Sequence, residues 1–327
     1  MVEYTMIDAG GTQIRAVVKG QGPLVVMVHG FPESWYSYRH QIDPIATAGF
    51  TACAIDVRGY GGSQKFNTVE DYAMEHMIND IIGVGEALAP GQKFLLIGHD
   101  WGAPMVWQTT LTRPDKIAAV AAMSVIYTGV PERSFDDIIK MLFDDNNVFF
   151  YQSYFRDVGK AEAAFEANPR DFLRKFYFVA SGNVDLTTLP MNKTSADNLL
   201  DGLPDPDPFP AWLSDADLDY YIEEFTRSGF FGPLSRYRNH TRDFHFLQAF
   251  KGKQIEQPAF FIAGDKDGAF NGFGLMPDPL GVLRANLPNL EGAHVLEGCG
   301  HWTQQERPEA VNEFLVPWLT SLKGRVV

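Results

Sequence analysis

Short, unbroken apolar runs punctuate the first third of the chain: LVVMV at 24–28, TACAI at 51–55, FLLI at 94–97 and IAAVAAM at 117–123. None alternates with polar residues. Each therefore reads as a strand covered on both faces, the pattern of a parallel sheet. Ahead of them, YTMIDAG and QIRAVVKG read as a hairpin around Gly10-Gly11. Between two of the runs, Val69, Tyr72, Ala73, Met77, Ile81, Val84 and Leu88 recur at helical spacing, giving one apolar stripe to lay on a sheet. This alternation predicts an α/β fold with crossover helices.

Past residue 127 the texture changes. The stretch 128–240 has no comparable run and predicts short helices over 131–142, 145–156 and 170–180, then a proline-rich loop, DGLPDPDPFPAW, at 201–212. Ser214 opens another helix with Asp217 at capping-box spacing, ending near Gly229. Pro233 suits the first turn of the next. Strand character returns at AFFIA (259–263) and AHVLEG (293–298). The expected organisation is a core domain of residues 1–127 and 241–327, with an inserted all-helical lid, 128–240, over the carboxyl ends of the strands, where open α/β sheets bind ligands.

Composition narrows the partners. Twenty-seven Lys and Arg face 41 Asp and Glu, a net charge of -14. That field repels phosphate backbones and anionic lipid, so no nucleic acid and no membrane insertion are expected. The two cysteines, Cys53 and Cys299, are too few and too distant for a disulfide framework or a metal site. The start, MVEYTMIDAGGTQ, lacks the basic-then-apolar pattern of a signal peptide, so a cytoplasmic enzyme is expected, as monomer or homodimer, with no cofactor and no metal.

The chemistry concentrates where strands end. GHDWG (98–102) follows FLLI and precedes a helical APMVWQTTLT, the strand–turn–helix setting of a nucleophile elbow, G-x-S-x-G, with Asp100 in the serine's place. HGFPE (29–33), after LVVMV, offers a backbone N–H beside that of Trp101, the makings of an oxyanion hole. GDKDG (264–268) holds two competing acids, Asp265 and Asp267; GCGHW (298–302) holds His301. The order of elbow, acid and histidine, each just after a strand, is that of an α/β-hydrolase triad.

Aspartate at the elbow changes the reaction expected. Serine attacking a saturated carbon would form an ether that water does not readily cleave; a carboxylate forms an ester. His301 can then activate water against that ester. This points to opening an epoxide or expelling a halide. A departing alkoxide needs an acid: phenol at about 10 against ~15.7 makes proton transfer downhill by roughly 8 kcal/mol. Tyr151, Tyr154 and Tyr237 are available in the inserted segment.

These stretches, HGFPESWYSYRHQ, DVRGYGGS, GHDWGA and GCGHWTQQERP, with YQSYF, PAWLSDADLDYY and SGFFGPLSRYRN in the insert, make the chain similar to the soluble epoxide hydrolases of the α/β-hydrolase superfamily, nearly end to end. The resemblance implies the α/β-hydrolase fold, a mostly parallel sheet flanked by helices. It implies Asp100 as nucleophile, His301 as base, Asp267 rather than Asp265 as the relay acid, and Tyr151 and Tyr237 as proton donors. It gives Phe31 and Trp101 the oxyanion-hole amides, makes Pro32 cis, and makes Glu33 a water-orienting residue, for which a surface salt bridge is the competing reading. Arg236 stands where the family has an aromatic residue. The implied partners are a small epoxide and water. A haloalkane or haloacetate dehalogenase shares nucleophile and base, but Trp101 replaces the haloacetate enzymes' Arg, and Phe31 takes the place of a second halide donor. A ligand-binding protein on an inactive hydrolase scaffold is the rival of another class.

Overall fold

In the computed structural model, which describes residues 2–190 and 192–325, the apolar runs become strands. They are β1 (Thr5–Asp8), β2 (Gln13–Gly20), β3 (Leu24–Val28), β4 (Thr51–Ile55), β5 (Phe94–His99), β6 (Ile117–Met123), β7 (Ala259–Gly264) and β8 (Leu290–Leu296). All join one sheet in the order β1-β2-β4-β3-β5-β6-β7-β8. β1 and β2 form the expected hairpin, β2 runs antiparallel to β4, and β3 to β8 are parallel.

The unbroken runs have a direct cause. Val25, Met27, Leu95 and Ile97 pack into the core on one face, with Ile42, Ile45, Val311 and Leu315 of the helices Ile42–Thr47 and Pro308–Ser321. Val26, Val28 and Leu96 pack on the other, with Met77, Ile81, Val106 and Leu111 of Met74–Leu88 and Gly102–Thr112. Alternate residues thus serve two cores, and neither set can be polar. From β4 the chain crosses back over β3 to reach β5. The loops leaving the carboxyl ends of β3 and β5 therefore part, which opens a crevice between them.

Among the described residues between β6 and β7 there is helix and turn but no strand. The helices differ from the sequence expectation in several places, and the one expected over 131–142 begins only at Phe135. The 69–88 helix starts only at Met74, after a separate turn at Glu70–Tyr72, because the Asp243 carboxylate from a distant helix caps the Met74 N–H at 2.8 Å. The expected 145–156 helix is cut to Tyr151–Phe155: Asn147 adopts a left-handed φ of 54°, and the Phe149 N–H turns outward to bond Lys193. A helix at Lys160–Ala167, entered through Gly159 at φ 90°, was not expected. The Ser214–Asp217 capping box forms, and its helix runs Asp215–Ser228.

This helix is tied to the sheet by buried charge. Arg15 of β2 bonds Asp56 at 2.5 Å and also Glu224, all within the interior. Such groups fix register more than they add stability, since removing one partner strands the other. Helix Pro169–Val179 reaches the sheet differently: the Tyr177 hydroxyl donates to the Pro32 carbonyl at 2.8 Å, and the Trp302 indole donates to the Tyr177 carbonyl at 2.7 Å.

Candidate active site

The crevice between β3 and β5 holds Asp100. Its φ is 50°, a left-handed conformation that costs a non-glycine residue about 1 kcal/mol or more and lifts the side chain out of the strand-to-helix turn. The glycines around it are set by contact. A Cβ on Gly102 would lie 1.9 Å from the Val28 carbonyl oxygen, one on Gly98 2.3 Å from that of Gly102, and one on Gly30 2.2 Å from Asp100 Oδ1. Gly102→Ala should therefore force β3 and the following helix apart. We expect a loss of about 3 kcal/mol, read as a lower urea midpoint at unchanged slope. An unchanged midpoint would mean that the elbow is not packed as described.

Two groups engage the two carboxylate oxygens. The Phe31 N–H donates to Asp100 Oδ1 at 2.7 Å, and His301 Nε2 lies 3.3 Å from Oδ2. The Phe31–Pro32 peptide is cis. Trp101 caps the helix Gly102–Thr112, whose amino end, with its partial positive charge, backs the elbow.

Behind His301, its Nδ1 stands 3.0 Å from Asp267 Oδ1 and 3.0 Å from Ser124 Oγ. Asp267 is 1% exposed and also accepts from the Ala269 N–H, whereas Asp265 is exposed. The two acids thus part company: one faces the imidazole and the other faces solvent. Burial disfavours both charges of the pair. Burial would lower His301, but the carboxylates of Asp267 and Asp100 outweigh it and raise His301 well above its ordinary range. Burial would likewise raise Asp267, and the imidazolium holds it below its ordinary range instead. Each charge makes the other tolerable.

Glu33 is fully buried, which excludes the surface salt bridge. Its Oε2 accepts from the Gly30 N–H at 2.9 Å and lies 2.7 Å from His99 Nδ1; its Oε1 accepts from the Gln304 and Gln305 amides. His99 Nε2 donates to the His301 carbonyl at 2.7 Å. Glu33 therefore reaches His301 through His99 and the backbone. Burial would raise its pKa, but His99 and the Gly30 amide hold it below the usual carboxylate range.

The tyrosines of the inserted segment divide. Tyr237 is 4% exposed, edge-on to Trp101 and Phe31 at ring separations of 5.2 and 5.5 Å, with Tyr151 at 6.0 Å. Burial first, then the Asp100 charge, raises both phenols above their ordinary range, so both stay protonated. Tyr154 turns elsewhere, under the Lys160 ammonium and against Phe149. Arg236 lies over the Trp101 indole at 4.9 Å, ion-paired with Asp243 and bonded to the Tyr72 carbonyl.

Ser124 and His99 are the site residues that sequence reading did not single out. A serine ending a strand carries no pattern, although its φ of 71° marks the turn that presents it to the imidazole. His99 lies inside the elbow motif itself, next to Asp100. Among the described residues no cluster of three or more His, Cys, Asp or Glu side chains is arranged to hold a metal ion, and no helix is long and apolar enough to cross a membrane.

Comparison with known proteins identifies the family. The α/β hydrolase fold family matches residues 23–308. Epoxide hydrolase B of Mycobacterium tuberculosis is 36% identical, over 98% of this chain and 99% of its own. The solved structure of an epoxide hydrolase from an endophytic Streptomyces superposes with a TM-score of 0.92 at 42% identity, covering 98% of this chain and 96% of its own. Epoxide hydrolase A from Mycobacterium thermoresistibile gives 0.89 at 35% identity, over 97% and 98%. The chain belongs to the α/β hydrolase family and, within it, to the epoxide hydrolases.

Proposed function

We propose that the protein hydrolyses small epoxides to vicinal diols in two steps, through an ester on Asp100, beneath a helical lid formed by the segment between β6 and β7. One observation carries the reading: a carboxylate at the elbow, 3.3 Å from a histidine base, faces two protonated tyrosines, Tyr237 buried and Tyr151 half-buried. A hydrolase that acylates a serine has no use for that set.

In the first step the Tyr151 and Tyr237 hydroxyls donate to the epoxide oxygen. Asp100 Oδ2 attacks a ring carbon from the opposite side; the C–O bond breaks, and its electron pair takes a tyrosine proton. Oδ1 becomes the ester carbonyl oxygen, already bonded to the Phe31 N–H. Ester formation also cancels the Asp100 charge, one of the two that raise His301. The imidazolium then sheds its proton more readily, and the phenolate left by ring opening takes it: charge is lost at residue 100, and a neutral base is freed at residue 301.

In the second step His301 Nε2 takes a proton from water, whose oxygen adds to the ester carbonyl. The Phe31 and Trp101 amides hold the resulting oxyanion, one such donor contributing about 3 kcal/mol. Collapse breaks the bond from the carbonyl carbon to the diol oxygen, which takes the proton of the added hydroxyl, so the diol leaves neutral and the Asp100 carboxylate and the His301 imidazolium are restored. Asp267 keeps the imidazole oriented and compensates its charge, and the Glu33–His99 pair fixes the His301 backbone for the incoming water.

Loss of either phenol should slow ring opening. For Tyr237→Phe or Tyr151→Phe we expect roughly a hundredfold loss in the alkylation rate, and far more for the double variant, with ester hydrolysis little changed. Rapid-mixing kinetics separate the steps, and equal slowing of both would refute the acid role. Product analysis with styrene oxide and with a chloroalkane tests the reaction class: diol from the first and no chloride from the second is the expected pair of results.

A further inference from the structure

We propose that Gln152 and His240 are positioning residues that aim the Tyr151 proton into the site: the Gln152 amide N–H occupies a lone pair of the phenol oxygen, and His240 holds that amide the right way round. The inference rests on the reading of Tyr151 as proton donor and deepens it.

The chain of contacts is short. Gln152 Nε2 donates to Tyr151 Oη at 2.9 Å, and Gln152 Oε1 lies 2.8 Å from His240 Nε2. His240 is 8% exposed, tilted against the Trp101 indole at 5.5 Å and 30°, with Phe135 edge-on at 5.0 Å. Burial and the Arg236 charge push its pKa down, while Asp136 opposes and Arg156 adds to the effect. A neutral imidazole carries one ring proton. Placed on Nε2, that proton is donated to Gln152 Oε1, which leaves the amide N–H groups facing the phenol. Tyr151 then accepts from Gln152, and its own O–H is free for a ligand oxygen. With the amide reversed, the phenol would donate to Gln152 and be lost as an acid.

The same bond assists once the proton has moved. A phenolate left by proton transfer accepts the Gln152 N–H as a charge-assisted bond, stronger than the neutral one. The charged groups acting on Tyr151 are Asp100 at the elbow and Asp267 beyond β7, both of which oppose its ionisation, as burial does; Tyr237 faces it uncharged. Gln152 works in the other direction.

A double-mutant cycle in the full chain, with styrene oxide as probe, tests the pair. Gln152→Met should slow alkylation roughly tenfold, leave ester hydrolysis unchanged and move the alkaline limb of the alkylation rate to higher pH. His240→Phe, which keeps an aromatic ring against Trp101 but lacks the N–H, should show the same split with a loss of about threefold. Neither should cost anything further in a Tyr151→Phe background. Equal slowing of both steps, or an undiminished loss without the Tyr151 hydroxyl, would overturn the proposal. Ester formation on the His301→Gln protein separates the two levels. If the ester forms but Gln152→Met leaves its rate unchanged, only the pair's role falls; if no ester forms, the proposed function falls and takes the pair with it.

Discussion

Asp100→Asn is expected to abolish turnover, with kcat down by roughly ten-thousand-fold or more, as for other residues that carry a covalent step. The substitution is close to shape-neutral. Asparagine tolerates the left-handed φ of 50°, and its amide oxygen can still accept the Phe31 N–H. The fold should survive, so the loss reports on the nucleophile. The variant also alters stability in a defined direction. The folded-state pKa of His301 is raised, so its contribution to stability is complete below about 6.5 and lost as pH rises through the folded value. Removing the Asp100 charge lowers that value, and the alkaline decline should begin at lower pH. Urea melts from neutral to alkaline pH, beside a diol assay, check both statements. Substantial diol formation by this variant would remove Asp100 from the chemistry.

His301→Gln should have an effect as large on steady turnover but a different kinetic shape. Glutamine cannot take a proton from water, so ester hydrolysis should fall roughly a thousandfold or more, while ring opening, which needs only Asp100 and the tyrosines, proceeds. One equivalent of epoxide is then consumed in a burst and stays on the protein. Intact mass spectrometry after incubation with styrene oxide should find a single adduct, located on the peptide containing Asp100. An unmodified protein would count heavily against a covalent route.

Much of this was legible in the residues because the sheet is buried on both faces. LVVMV, FLLI and IAAVAAM had one plausible fate, and the strand ends then placed the elbow and the histidine loop. What stayed hidden depends on distant partners. The start of Met74–Leu88 is set by Asp243, 169 positions away, which no local pattern encodes. The break at Asn147 depends on Lys193 accepting from Phe149. Asp265 and Asp267 are chemically equivalent in sequence, and only the way the loop leaves β7 turns one inward. Glu33 could be read as a surface charge because glutamate is rarely buried; its four interior partners come from three separate segments. The departure at Arg236 finds its compensation in Asp243 and the Trp101 ring.

The most direct test of the covalent step follows an oxygen atom. In a single turnover of styrene oxide by excess protein in water enriched in oxygen-18, the heavy isotope should enter the Asp100 side chain and the first diol released should be unlabelled. Heavy oxygen in that first diol, with none in the peptide bearing Asp100, would mean that water attacks the epoxide directly, and the ester mechanism would be wrong.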